Sequence, residues 1–387
     1  MRLSRGARHD FTDGGHRPMD AILLTGDSDY NQNLYYKTHF LAEGLIYLEV
    51  NGEGTLITSE MERGRAEKES SVHTVRTLRE FGFEEAMQEL NDRTRAFTTA
   101  LSRAIRDSGA DRLIVGPDFP ALLADNFRLE GIDVQIDPKL LDAARRQKSE
   151  QEIAAIEESQ RATERAAGRA VEVLRDSEVH GDTLHYNGIP LTMERLRSEI
   201  EVSLVRDGMD PVSPITAAGR GAADPHWIGH GPIRPGDSLV LDIFPRSKTT
   251  RYFSDMTRTV VKGRPSQVLA RMYEATLQAQ EAAFAQIRAG ANGKDVHQAA
   301  VDAFREAGFD GDTGPRYIHS TGHGVGLDIH EAPGLGTLDV ELQENEVVTV
   351  EPGLYDPEIG AVRIEDIVVV TKDGYRNLTR FPKQFEI

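Results

Sequence analysis

Short β-rich runs alternate with longer stretches of helical periodicity along this chain. Ala21–Leu24, Leu45–Val50, Thr55–Thr58 and Leu113–Val115 have the apolar, partly β-branched character of strands. Asn51-Gly52 and Glu53-Gly54 supply turn residues for a hairpin between the second and third runs. Met87, Leu90, Thr94, Phe97, Leu101 and Ile105 step by three or four, which predicts one helix about five turns long. Residues 19–140 therefore form an α/β domain. It clusters neither metal ligands nor nucleophiles, so oligomerisation or substrate gating is its expected task. Asp137-Pro138 and the charged stretch Arg145–Glu152 mark its boundary with a second domain, 141–387.

That second domain reads as two halves built to one plan. A helix from Ser149 to about Arg175 is followed by a shorter one carrying Met193, Leu196, Ile200 and Leu204 and stopped by Gly208. The helix Val268–Ile287 is likewise followed by Val296–Ala307 and stopped by Gly308. After each stop comes a His-bearing segment and then strands with two acids, so an internal twofold duplication is expected, with a site between the halves.

Composition narrows the class. Lys and Arg total 45 against 63 Asp and Glu, a net charge of −18 that disfavours a nucleic-acid partner. No apolar run reaches the roughly 18 residues of a membrane helix. Zero Cys removes disulfides, thiolate metal sites and Cys nucleophiles together. Residues 1–18 are Arg- and Gly-rich without an apolar signal core, so a disordered leader on a cytoplasmic protein is expected, with Met19 a candidate start.

Four acids interrupt the β-rich runs. Asp242 lies in Ser238–Phe244 and Asp255 in Tyr252–Val261, joined by the polar tip Arg246–Arg251. A hairpin that pairs Asp242 with Asp255 centres its turn between Lys248 and Thr249 and puts both carboxylates on one face. Glu351 and Glu365 repeat the situation, with a hairpin turning around Pro357–Gly360. Unpaired buried carboxylates are costly, and adjacent ones repel. The nearest histidines are His319, His323 and His330. Gly322, Gly324 and Gly326 argue against a helical zinc pair and for a loop or irregular strand whose backbone lies close to a ligand. Four carboxylates balance two divalent cations, and a neutral His323 completes an oxygen-rich site with room for a bridging hydroxide. Hard oxygens with one nitrogen suit Mn²⁺ and tolerate Co²⁺ or Zn²⁺.

Leu241-Asp242, Ser254–Thr259, Gly322–Leu327 through His330-Glu331, Glu351-Pro352-Gly353 and Arg363–Asp366 together resemble the pita-bread metallopeptidases, a family of methionine aminopeptidases, Xaa-Pro aminopeptidases, prolidases and creatinase. Asn33–Tyr36 is similar to a segment of the Xaa-Pro peptidase and creatinase branch, which carries a creatinase-type α/β N-terminal domain. The resemblance implies an α/β (α+β) pita-bread catalytic domain with pseudo-twofold duplication, acting as a homodimer or homotetramer. It implies hydrolysis of the Xaa-Pro bond in dipeptides or at peptide N-termini, by a hydroxide bridging two divalent ions. By the same resemblance Asp242 would chelate one metal, Asp255 and Glu365 would bridge both, and His323 with Glu351 would complete the second. His226 would sit near the substrate amide and His330 at the scissile bond. His319 would line the pocket, and Arg363 would either support a ligand or bind a substrate carboxylate. The step from Asp242 to Asp255 is about two residues longer than is usual in the family, an insertion that keeps the period-two facing of a hairpin. Phe244-Pro245-Arg246 there replaces small residues, which bears on substrate preference. Hydrolysis of another small amide, or a non-catalytic interaction role with a vestigial metal site, are the alternatives.

Overall fold

The computed structural model describes residues 19–387, so the expected leader 1–18 lies outside the described residues. The chain divides into two compact units between Leu141 and Asp142.

The first unit is a six-stranded mixed sheet, β4-β3-β2-β1-β5-β6, of β1 (Asp20–Gly26), β2 (Leu45–Val50), β3 (Glu53–Thr58), β4 (Thr74–Thr77), β5 (Arg112–Val115) and β6 (Asp133–Ile136). Its helices are α1 (Gln32–Thr38), α2 (Arg63–Glu69), α3 (Phe83–Leu90), α4 (Arg93–Asp107) and α5 (Ala121–Leu129). Leu23, Ile46, Leu48 and Ile57 pack with Leu101 and Ile105 of α4 and Phe127 of α5. Leu24, Leu45, Tyr47 and Leu56 pack with Leu34 of α1 and Ala66 of α2. Adjacent strand residues thus enter different cores, which explains apolar runs without alternation.

Two expectations fail here. The five-turn helix is two, because Asn91 takes a left-handed φ of 46° and Asp92 caps α4 by accepting from the Arg95 N–H. The hairpin turn is Asn51-Gly52 alone, since Glu53 already pairs with Val50 and Gly54 with Glu49.

The second unit opens with α6 (Asp142–Arg146) and α7 (Glu150–Arg175). Ser149 and Glu152 form a capping box at the start of α7. The short strands β7 (Glu178–His180), β8 (Thr183–Tyr186) and β9 (Ile189–Pro190) precede α8 (Met193–Arg206). Next come β10 (Met209–Asp210), β11 (Ile215–Ala218), β12 (Leu239–Ile243), β13 (Arg246–Ser247) and β14 (Met256–Val260). The second half has α9 (Gln267–Phe284), α10 (Gly293–Glu306), β15 (Gly322–Gly324), β16 (Glu331–Leu335), β17 (Val347–Val350), β18 (Gly353–Asp356), β19 (Gly360–Arg363), β20 (Asp366–Val370) and β21 (Tyr375–Asn377). A helix pair followed by antiparallel strands thus occurs twice. Gly208 and Gly308, at φ of 75° and 82°, stop the second helix of each pair in the left-handed conformation that glycine adopts at least cost. The main sheets are β11-β12-β14 and β16-β15-β17-β20-β21. The first packs on α7 and α8 through Ala166, Leu196, Ile200, Leu241 and Met256. The second packs on α9 and α10 through Met272, Ala279, Phe304, Val348 and Val368.

Candidate metal centre

The four acids converge at strand ends in the second unit. Only Asp242 lies within a strand, β12; Asp255 precedes β14, Glu351 follows β17 and Glu365 precedes β20. The register also corrects the expected pairing, since Asp242 faces Thr257, not Asp255. The shift is of two residues, so Asp255 keeps the facing of Thr257 and hence of Asp242. Part of the expected tip, Arg246-Ser247, is itself β13 paired with β10. The Glu351/Glu365 hairpin forms as expected, with Asp356 paired to Gly360.

The glycines of the histidine segment lie in and just after an irregular strand, as expected, and what they accommodate is neighbouring backbone and one acid. A Cβ on Gly322 would lie 2.0 Å from the Thr349 carbonyl oxygen, on Gly324 2.4 Å from that of Ala332, and on Gly326 2.3 Å from the Glu331 carboxylate. They admit neighbouring strands and one acid, and so fit β15 between β16 and β17. A register shift between His323 and Gly324 aims the imidazole. His323 Nδ1 donates to the Gly324 carbonyl at 3.1 Å, which turns Nε2 toward the acids, 3.3 Å from Glu351 Oε1 and 3.8 Å from Asp255 Oδ2.

The remaining bonds hold the acids in place. Thr257 Oγ1 donates to Glu365 Oε2 at 2.8 Å. Arg363 is buried and donates from Nη2 to Asp242 Oδ2 (2.6 Å), from Nη1 to the Tyr355 hydroxyl (2.9 Å) and from Nε to Thr257 Oγ1 (3.2 Å). Tyr355 in turn bonds His319 Nε2 at 2.8 Å, while His319 Nδ1 donates to the Ser320 carbonyl. Burial and the surrounding carboxylates push the carboxyls of Asp255 and Glu365 well above the ordinary range, and Asp242 is raised as well, chiefly by burial. Burial also works to raise Glu351, but its bond to His323 holds it below the usual value, and His323 is raised in return. One guanidinium and one imidazole leave the four acids underneutralised.

A divalent cation fits this donor set. Asp255, His323 and Glu365 offer ligand atoms within 4.8 Å of one another. Asp255 Oδ1 is buried with no hydrogen-bond partner, and such an orphan in a native fold calls for an occupant. The donors are carboxylate oxygens and one imidazole nitrogen, suited to hard or borderline metals.

These groups line a cleft of about 510 Å³ with His226, His319 and His330 and the apolar Ile215, Phe244, Ile318 and Ile329. His226 is exposed on the turn after Gly219–Ala223, where its N–H donates to Asp224. The His330 ring lies 4.3 Å from that of His323, and burial lowers its pKa, as it does that of His319. All nine residues singled out from the sequence therefore reach one cleft. Sequence reasoning missed Thr257, Tyr355 and the clamp on the His330 loop. Arg145 Nη2 bonds both Asp328 (2.6 Å) and Glu331 (2.7 Å), and buried Lys148 bonds Glu331 at 2.5 Å. The charged stretch read as a boundary is thus anchored beside the candidate cleft.

A model of metallopeptidase family M24 matches residues 147–372, and the chain belongs to that family. The chain is 29% identical over 358 residues to an Xaa-Pro dipeptidase of Pyrococcus furiosus, covering 91% of this chain and 92% of that one. An Xaa-Pro dipeptidase structure from Bacillus anthracis superposes with a TM-score of 0.79 at 26% identity, covering 95% of each chain. An X-Pro aminopeptidase from Thermotoga maritima gives 0.78 at 25% identity over 95% of this chain and 98% of that one. The mixed α/β fold agrees with the expected pita-bread architecture.

Proposed function

We propose that the protein is a dinuclear metal-dependent peptidase that cleaves the Xaa-Pro bond of dipeptides or of peptide N-termini. The carrying observation is the convergence of four acids and His323 on a buried point where Asp255 Oδ1 has no partner. Kinship with Xaa-Pro dipeptidases and an X-Pro aminopeptidase supports the substrate class. Asp242 would hold one ion, His323 and Glu351 the other, and Asp255 and Glu365 both. When bound, divalent ions supply Lewis acidity and water of lowered pKa. The chain itself supplies the rest. His330 and His226, which line the cleft, would donate to the substrate amide and carry a proton to the leaving nitrogen. Ile215, Phe244, Ile318 and Ile329 offer apolar walls against the proline ring. That ring has to be recognised by shape, because proline brings no amide N–H.

The donor set favours Mn²⁺, with Co²⁺ or Zn²⁺ as substitutes. A homodimer or homotetramer working in the cytoplasm completes the reading. Among the described residues no helix is long and apolar enough to cross a membrane. The test is a panel of Xaa-Pro dipeptides, Xaa-Pro-Yaa tripeptides and Xaa-Ala controls with each metal. Xaa-Pro turnover well above Xaa-Ala is expected; equal rates would remove the proline claim and leave a metal-dependent hydrolase of small amides.

A further inference from the structure

Gln280 is wholly buried in α9, between Ala279 and Ala283 of the core, on a helix that packs against β17, β18 and β19. A primary amide in such a core is costly unless it is bonded. Its Nε2 donates to the carbonyl oxygens of Val350 at 2.8 Å and Ile364 at 3.2 Å, while its Oε1 has no hydrogen-bond partner. Val350 and Ile364 are the residues immediately before Glu351 and Glu365.

At this point the ladder is interrupted, crossed only by a long bond from the Ile364 N–H to the Pro352 carbonyl at 3.5 Å among the backbone bonds of the described residues. The β17–β20 ladder ends at Val350 and Asp366, and pairing resumes in β18–β19 at Gly353 and Arg363. Between the ladders the Glu351 N–H turns to the Thr321 carbonyl (2.8 Å) and the Glu365 N–H to that of Thr257 (3.0 Å). Each acid is therefore bonded away from the other, and the Gln280 amide bridges the backbones that carry them.

We propose that Gln280 is a positioning residue of the metal centre: its amide sets the spacing of Glu351 and Glu365 by tying together the carbonyls of Val350 and Ile364. The inference rests on the metal-site reading above. A hydrophobic side chain of the same length would fill the volume but remove both amide bonds and with them the tie between the two acids. Groups that orient metal ligands in this way typically contribute about 10- to 100-fold in affinity.

The test compares Gln280→Met with Thr276→Val. Thr276 is buried on the same helix but bonds only the Met272 carbonyl, so its loss perturbs the α9 core without touching the bridge. Mn²⁺ titration of the metal-free proteins by calorimetry, with metal content by elemental analysis, should show Gln280→Met weakened about 10- to 100-fold and Thr276→Val unchanged. The melting temperature of each metal-free form separates general destabilisation from this effect. If Gln280→Met does not fold, Gln280→Glu replaces it, since a protonated carboxyl keeps the length but donates to only one carbonyl, and the same weakening is expected. Unchanged Mn²⁺ affinity in the folded variant overturns the proposal for Gln280 alone. Absence of Mn²⁺ binding by the wild type overturns the metal-site reading with it.

Discussion

Arg363 and Asp242 are bonded at 2.6 Å inside the candidate centre, and the other nitrogens of the guanidinium reach Tyr355 and Thr257. Three of the five guanidinium N–H groups are thus engaged by protein groups, and on the reading proposed above this favours support of the Asp242 carboxylate over capture of a substrate carboxylate. Arg363→Ala should therefore weaken dipeptide and tripeptide turnover alike. It should also destabilise the metal-free protein by roughly 3–5 kcal/mol, the usual cost of stranding a buried charge. Initial rates on both substrate lengths and a denaturant melt check this; a loss confined to dipeptides would establish a direct carboxylate contact.

The legible parts of this site were those fixed by local periodicity. The turn at 357–360 follows from the spacing of Glu351 and Glu365, each interrupting a β-rich run, with Pro357–Gly360 between them, and the shared facing of Asp242 and Asp255 tolerates a two-residue shift of register because the strand period is two. The break at Asn91 was hidden because the apolar spacing runs across it, and only the left-handed residue and the Asp92 cap end the helix. Gln280, Thr257 and Tyr355 were not legible, since the Val350, Glu365 and His319 groups they bond lie 70, 108 and 36 residues away in the chain and meet them only in the tertiary fold. Lys148 and Arg145 looked like linker charge because their acids lie about 180 residues away.

Asp255 and Glu365 have folded pKa values above those of the unfolded chain, for which about 4 is ordinary. The folded, metal-free protein then holds protons that the unfolded chain has released. These two groups lower stability as pH rises from about 4 through their raised values, and the penalty is complete above them. Asp255→Asn should remove part of it, so the melting temperature of the metal-free variant should gain on the wild type between pH 5 and 8. Melts in chelator across that range check the sign, and a growing advantage for the wild type would contradict it.

Divalent metal should stabilise the protein by relieving the same repulsion. At a free concentration 100 times the dissociation constant, the gain is about 2.7 kcal/mol for a single site. Exhaustive chelation should abolish activity and lower the melting temperature, and Mn²⁺ should restore both. Full turnover with metal absent by elemental analysis would sink the metallopeptidase mechanism.

The histidines should separate by role. His323→Ala removes the imidazole closest to Glu351 and should lower metal content. His226→Ala and His330→Ala should keep the metal and reduce kcat by about 10²- to 10⁴-fold, as loss of a positioned acid or base does. Metal analysis paired with steady-state kinetics decides each case, and a His226→Ala enzyme with unchanged kcat and KM would make that residue structural.

Lys148 is the last case, because its effect should pass through a loop it does not belong to. Its ammonium and the Arg145 guanidinium hold Glu331, next to His330, and Arg145 also holds Asp328 on the other side of Ile329 and His330. Lys148→Met should lower kcat while metal content stays at the wild-type level, since His323 is anchored independently by Thr349 and the Gly324 carbonyl. Glu331→Gln in the same background should cost much less than in the wild type, because the charge it removes has already lost one cation. A double-mutant cycle in kcat and stability measures that coupling. Additive losses would show that Lys148 acts elsewhere, and loss of metal from Lys148→Met would show that the clamp secures the whole histidine segment and not the His330 end alone.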